Sequence, residues 1–100
     1  MTYLDADIRR GIEEAVDELI NEPETFEKSF SHVLKEQGIE PNLESILSFI
    51  MGNLYGIALA LYFSKYKKKP NQDELDELIK LLKRRAYEIR MTFLSSRIKE

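Results

Sequence analysis

The sequence predicts an all-α fold, a four-helix bundle-like single domain over residues 1–100 with a hydrophobic central helix 3 and a dimeric assembly. No segment alternates apolar and polar residues with a period of two, and no Asn-Gly or Asp-Gly hairpin turn occurs. Apolar residues recur at helical spacing instead. One hundred residues with 43% apolar and 33% charged residues are typical of one folded domain.

Helix one is predicted from about Asp5 to Asn21, with Thr2 and Asp5 at the spacing of a capping box. Successive residues of a helix lie 100° apart, and this angle places seven apolar residues on one face. They are Leu4, Ile8, Ile12, Ala15, Val16, Leu19 and Ile20. Pro23 stops this helix, because proline is not tolerated inside a helix. It suits the first position of the helix that follows.

Helix two is predicted to bury Phe26, Phe30, Val33 and Leu34. Gly38 follows it and can adopt the left-handed conformation that ends many helices.

Helix three is predicted from Leu43 to about Tyr66, with Asn42 as its N-cap. Residues 67–70, Lys-Lys-Lys-Pro, break the chain again. Asn71 and Glu74 then have the spacing of a capping box for helix four.

Helix four carries two apolar stripes. The first is expected to face the core and consists of Leu75, Leu78, Ile79, Leu82, Ala86, Ile89 and Phe93. The second consists of Tyr87, Met91, Leu94 and Ile98, at spacings of four, three and four residues. A helix with two apolar faces lies between two neighbours or presents one face to another chain, so we interpret the second stripe as a protein interface.

Helix three is uncharged over residues 45–64, which allows three interpretations. Twenty residues are long enough to cross a bilayer, and the basic residues that follow resemble a cytoplasmic flank. The apolar faces of the other helices need a shared partner, however, which favours a buried central helix over a membrane span. The third interpretation gives part of the helix surface to a second copy of the chain.

Small residues recur every four positions along helix three, at Ser48, Gly52, Gly56, Ala60 and Ser64. Such a ridge lets a neighbouring helix approach closely. We therefore predict a homodimer, or a complex with another helical protein, whose interface includes Gly52, Gly56, Ala60, Tyr87, Met91, Leu94 and Ile98.

Charge is divided unevenly along the chain. Residues 1–63 contain 4 Lys/Arg and 12 Asp/Glu, a formal charge of −8, whereas residues 64–100 contain 11 and 6, a charge of +5. Oppositely charged helices that pair within or between subunits explain this division. The alternative is nucleic-acid binding, in which Lys67, Lys68, Lys69, Lys80, Arg84 and Arg85 contact the phosphate backbone.

Residue types that carry common chemistry are scarce. The chain has no cysteine and one histidine, and its four glycines match no phosphate-binding loop. His32 and Glu36 lie one turn apart, but we interpret His32 as an exposed side chain. We therefore expect no cofactor, no metal site and no enzymatic activity.

The first residues lack the basic and apolar regions of a signal peptide, so we expect a cytoplasmic location. The predicted function is that of a non-catalytic interaction module, a small accessory or scaffold subunit that self-associates through helices 3 and 4.

Overall fold

Four α-helices and no strand make up the secondary structure of residues 4–99, which confirms the all-α class. The helices are α1 (Ala6–Asn21), α2 (Pro23–Glu36), α3 (Leu43–Tyr66) and α4 (Gln72–Lys99). This computed structural model describes the backbone of residues 4–99 and the side chains of residues 4–97. Thr2, and the side chain of Ile98, therefore lie outside the described part of the chain.

The start of α1 and the break before α2 follow from single residues. Asp5 caps α1, because its side chain accepts hydrogen bonds from the backbone N–H groups of Asp7 at 2.9 Å and Ile8 at 3.3 Å. Only Glu22 separates α1 from α2, and Pro23 occupies the first position of α2, as predicted.

Gly38 ends α2 as expected, with a φ of 76°. Its N–H donates to the carbonyl of Lys35 at 3.0 Å, and the next N–H, of Ile39, donates to Leu34 at 2.9 Å. These two bonds form the Schellman arrangement, which satisfies carbonyl groups at the end of a helix.

Reciprocal capping boxes start both long helices. At α3, Asn42 accepts from the N–H of Ser45 at 2.9 Å, and the Ser45 hydroxyl accepts from the N–H of Asn42 at 3.0 Å. At α4, Asn71 and Glu74 make the equivalent pair of bonds at 2.9 and 3.1 Å. The predicted caps at Asn42 and Asn71 are thereby confirmed, and both helix starts are fixed locally.

The helices α3 and α4 run antiparallel, because a short connection joins them and Glu44 at the start of α3 pairs with Arg90 far along α4. The helix α1 lies along the C-terminal half of α3, where Asp5 pairs with Lys65. The helix α2 lies along the N-terminal half, where the rings of Phe30 and Phe49 are 5.0 Å apart. Helices α1 and α2 thus follow one another along the α3–α4 pair in a molecule of 44 × 26 × 18 Å.

The core contains residues from all four helices. Its largest fully buried side chains are Phe93, Ile8, Ile12, Ile46, Ile50, Leu54, Ile89 and Val16. Two predictions of buried residues are wrong: Val33 is 39% exposed and Ile79 is 52% exposed. Leu81 is buried instead, because α4 packs against α1 on the side where Arg85, one turn later, contacts Asp17.

Candidate interaction surfaces

The outer face of α3 is the side turned away from the core, and it is exposed and uncharged. We define it by Ser48, Gly52, Gly56, Leu59, Ala60 and Phe63, with Asn53 and Ser64 at its border with α1. All of these are exposed except the half-buried Leu59. Phe63 is 57% exposed, which is unusual for a phenylalanine in a folded domain. An exposed apolar surface of this kind commonly marks an interaction site.

Among the described residues, no neighbour packs over the two glycines of this face. A Cβ atom built on Gly52 or Gly56 would meet nothing within 4 Å among the described residues. At Gly11 of α1, by contrast, a Cβ atom would lie 2.9 Å from Cδ1 of Leu61, so Gly11 is where α1 and α3 approach closely. Sequence reasoning did not single out Gly11, because nothing in its local pattern distinguishes it from the other helical glycines.

One of the three interpretations of helix 3, a central helix buried by its neighbours, is not met on every side, because its outer face is exposed within the described part of the chain. The buried residues of α3 are Ile46, Leu47, Ile50, Leu54, Ala58 and Tyr62. They occupy one side of the helix, and only a third of the most apolar 18-residue stretch of α3 is buried within the molecule. By length and composition alone, α3 could cross a membrane. A helix that is apolar all round has no hydrophobic stripe to show which side its neighbours cover.

A cavity of about 460 Å³ lies at the C-terminal end of the outer face. Its lining is apolar apart from one cation and consists of Tyr55, Leu59, Ala60, Phe63, Lys69, Pro70 and Leu75. The outer face therefore offers a concave apolar region beside the α3–α4 connection.

Opposite charges flank the outer face at its two ends. Glu36, Glu40 and Glu44 precede it, and Lys65 and residues 67–69 follow it. Glu44 is engaged by Arg90 in two hydrogen bonds of 2.6 and 3.2 Å, which hold the pKa of Glu44 below its ordinary value. Glu36, Glu40 and the three lysines at 67–69 are exposed and form no ion pair within residues 4–97.

Lys65 belongs to a network that joins the start of α1 to the end of α3. Its Nζ atom lies 2.8 Å from Asp5 and 2.9 Å from Asp7, and the Tyr66 hydroxyl donates to Asp5. The bonds from Lys65 and Tyr66 hold the pKa of Asp5 well below its ordinary range. The same carboxylates raise the pKa of Lys65 above its usual value.

The second stripe of α4 lies on a different part of the surface. Tyr87 is 71% exposed and Met91 is 40% exposed, whereas Leu94 is half-buried. Met91 lines a cleft with Ile20 and Pro23 at the junction of α1 and α2. The structure therefore places this stripe beside the α1–α2 junction, whereas the outer face of α3 borders the α3–α4 connection. The Ile98 side chain is outside the described residues.

Arg85 is directed into the molecule. Its guanidinium group lies 2.6 Å from Glu13, 2.9 Å from Asp17 and 3.0 Å from Glu88, and its side chain is only 17% exposed. This contact pairs acidic α1 with basic α4 within one chain, and it engages the Arg85 guanidinium group with three carboxylates. Glu13 and Asp17 come from a distant part of the sequence, so no local pattern identifies them as partners.

Four basic residues gather in a groove between α1 and α4. The groove has a volume of about 620 Å³ and is lined by Arg9, Glu77, Lys80, Lys83 and Arg84. Lys80 lies 3.4 Å from Glu77, whereas Arg9, Lys83 and Arg84 form no ion pair within residues 4–97. Sequence reasoning missed Arg9, because α1 is acidic overall and only the packing brings Arg9 beside α4.

His32 is exposed on α2. Among the described residues, no group of three or more His, Asp or Glu side chains is arranged to hold a metal ion.

No protein-family model, no curated protein and no solved structure matches the chain.

Proposed function

We propose that this protein is a non-catalytic helical interaction module, a small accessory or scaffold subunit that dimerises through exposed surfaces of α3 and α4. The observation that carries the proposal is the outer face of α3, which is solvent-exposed yet free of charge over residues 45–64. Burial of apolar surface is the main favourable term in most protein association. Gly52 and Gly56 have space above them for the backbone of another helix.

A second protein chain fits this face better than lipid does. The opposite side of α3 is covered by α1, α2 and α4 and supplies Ile46, Ile50 and Leu54 to the core. The covering helices carry charged residues such as Arg85 and Arg97 that pair with Glu13 and Glu27. Inserting α3 into a bilayer would either separate its core side chains from the three covering helices or carry these charged residues into hydrocarbon, whereas docking a helix on the outer face leaves the packing intact.

The test compares two exposed helical positions that receive the same large charged residue. Gly56→Arg places the guanidinium group on the outer face of α3, and Ser29→Arg places one on α2, away from that face. We expect sedimentation to show a dimer for the wild type and for Ser29→Arg, and a monomer for Gly56→Arg.

Circular dichroism checks that both variants stay helical. A Gly56→Arg variant that remains dimeric would contradict the proposal, as would a monomeric wild type. A monomer that floats with phospholipid vesicles would assign the outer face to a membrane instead.

The part that α4 plays is tested separately through Tyr87, the most exposed of its apolar residues. We expect Tyr87→Glu to weaken dimerisation less than Gly56→Arg does, because Tyr87 lies on a different helix from the centre of the proposed interface. A dimerisation constant equal to that of the wild type would restrict the interface to α3.

Nucleic-acid binding is the second candidate function, and the grouping of Arg9, Lys80, Lys83 and Arg84 around one groove favours it. The three exposed lysines at 67–69 carry further positive charge just before the start of α4. Cations on one accessible surface neutralise phosphates and release counterions, which makes binding strongly dependent on salt.

Fluorescence anisotropy with labelled duplex DNA, single-stranded DNA and RNA measures this activity between about 50 and 200 mM salt. We expect Lys83→Glu with Arg84→Glu to abolish binding. The control reverses the same number of charges on α2, with Lys28→Glu and Lys35→Glu, and should bind as the wild type does. Equal losses in both variants, or no binding at low salt, would remove this function.

A further inference from the structure

We propose that the two copies pair the outer faces of their α3 helices antiparallel, about a two-fold axis that crosses the helix at the height of residue 54, so that Gly52 of one copy faces Gly56 of the other. This inference rests on the proposed dimerisation through the outer face of α3, and it specifies the orientation and the register. It identifies the partner as a second copy of this chain.

The charges at the two ends of the outer face select this orientation. Glu36 and Glu40 lie before the face, and the three lysines at 67–69 lie after it, all of them exposed. A parallel pair would bring the lysines of both copies together and the glutamates of both copies together, and like charges at an interface are unfavourable. An antiparallel pair brings each acidic end to a basic end.

The positions of the glycines set the register. Gly52 and Gly56 lie symmetrically about Leu54 and are open to solvent, so a two-fold axis at this level brings four glycines together where the helices are closest. Lys68 comes fourteen residues after Leu54, and Glu40 comes fourteen residues before it. Both residues lie just outside α3, so the axis that matches the glycines brings the end of one copy that carries Lys68 to the end of the other that carries Glu40.

Spin labels measure the orientation directly, because the chain contains no cysteine that would compete for the label. Asn53→Cys, Ser48→Cys and Ser64→Cys each place one label at an exposed position of α3. With a rise of about 1.5 Å per residue, an antiparallel pair separates the two labels along the axis by roughly 3, 18 and 30 Å. A parallel pair gives the same short separation at all three positions.

Pulsed dipolar spectroscopy on the dimer should therefore give distances that increase from Asn53→Cys through Ser48→Cys to Ser64→Cys. Equal short distances at the three positions would overturn the antiparallel orientation and leave the proposed dimerisation intact. Sedimentation first shows which labelled chains are dimers, because the labels lie on or beside the proposed interface. Dimers without dipolar coupling at all three positions would show that α3 does not pair, and would overturn both proposals.

Charge reversal tests the register independently. We expect Lys68→Glu and Glu40→Lys each to weaken dimerisation by about 2- to 30-fold, because each change affects two exposed ion pairs per dimer. The doubly reversed chain should recover most of the wild-type affinity. If the double variant instead loses affinity by the product of the two single-variant factors, residues 40 and 68 do not meet, and the register is overturned.

Discussion

At the scale of single residues, the four glycines of this chain have different physical reasons to be glycine. Gly38 has a positive φ, and Gly11 lies against Leu61 where a Cβ atom would be crowded. Gly52 and Gly56 have neither constraint, although glycine within a helix costs about 0.5–1 kcal/mol relative to alanine. Two such costs on one exposed face are unexplained by the fold of one chain and are explained by a helix that approaches from outside.

We expect Gly52→Ala and Gly56→Ala each to stabilise the monomer by about 0.5–1 kcal/mol, because alanine favours the helix and its Cβ atom meets no neighbour. Gly11→Ala should stabilise the monomer by less, since Leu61 must move to admit the new methyl group. Urea unfolding at concentrations where the chain is monomeric measures the free energy of unfolding of each of the three variants. A greater gain at Gly11 than at Gly56 would contradict the described packing.

The ion pair between Glu27 and Arg97 gives a second prediction. Glu27 is 5% exposed and lies 2.5 Å from Arg97, and its second carboxylate oxygen has no hydrogen-bond partner within the described residues. We expect Arg97→Met to destabilise the protein by about 1–3 kcal/mol, because it leaves a buried carboxylate without its cation. The double change Glu27→Met with Arg97→Met should restore most of this loss.

Arg10→Met is the control, because Arg10 pairs with Asp7 in solvent, where an ion pair contributes little. Chemical unfolding should therefore rank Arg97→Met as the least stable of the three. If the double variant were less stable than Arg97→Met alone, the pair would contribute more than its desolvation costs.

At the scale of helices, sequence predicts boundaries better than it predicts neighbours. The ends of α2, α3 and α4 depend on local residues such as Pro23, Gly38 and Asn71, which act through bonds to groups within a few positions. The side of α3 that faces solvent depends on where α1 and α2 pack. Arg85 likewise meets Glu13 only after α1 and α4 have packed together.

The contact between α1 and α3 gives a prediction about pH. Because the folded-state pKa of Asp5 is lowered, its stabilising effect is complete above about pH 4 and is lost as the pH falls further. Asp5→Asn keeps a good N-cap but removes the charge. We expect the stability advantage of the wild type over Asp5→Asn, measured by thermal unfolding, to shrink as the pH falls below about 4.

At alkaline pH the dependence of stability on pH has the opposite direction. Hydrogen bonding to Glu74, together with burial, raises the pKa of Tyr62 to about 12, and the pKa of Lys65 is raised as well. Their stabilising effects are complete below about pH 10 and are lost as the pH rises above that value.

For the acid range, a stability advantage of the wild type over Asp5→Asn that stayed constant below about pH 4 would contradict the role of the Asp5 network.

At the scale of the whole molecule, the proposed dimerisation would link stability to concentration. If folded chains associate and unfolded chains do not, we expect mass action to raise the unfolding midpoint of the wild type as its concentration increases. The Gly56→Arg monomer should unfold at the same temperature at every concentration. Differential scanning calorimetry over a hundredfold range of dilution measures both, and a constant wild-type midpoint would contradict a dimer that dissociates on unfolding.

The succession of α1 and α2 along the α3–α4 pair has a consequence for folding kinetics. The short α3–α4 connection allows that pair to form early, whereas Arg85 reaches Glu13 and Asp17 across 72 and 68 residues of chain. We expect Arg85→Met to accelerate unfolding with little effect on the refolding rate in stopped-flow measurements. The helix that comes first in the sequence would then dock last, and its amide protons would exchange with solvent before those of the α3–α4 pair.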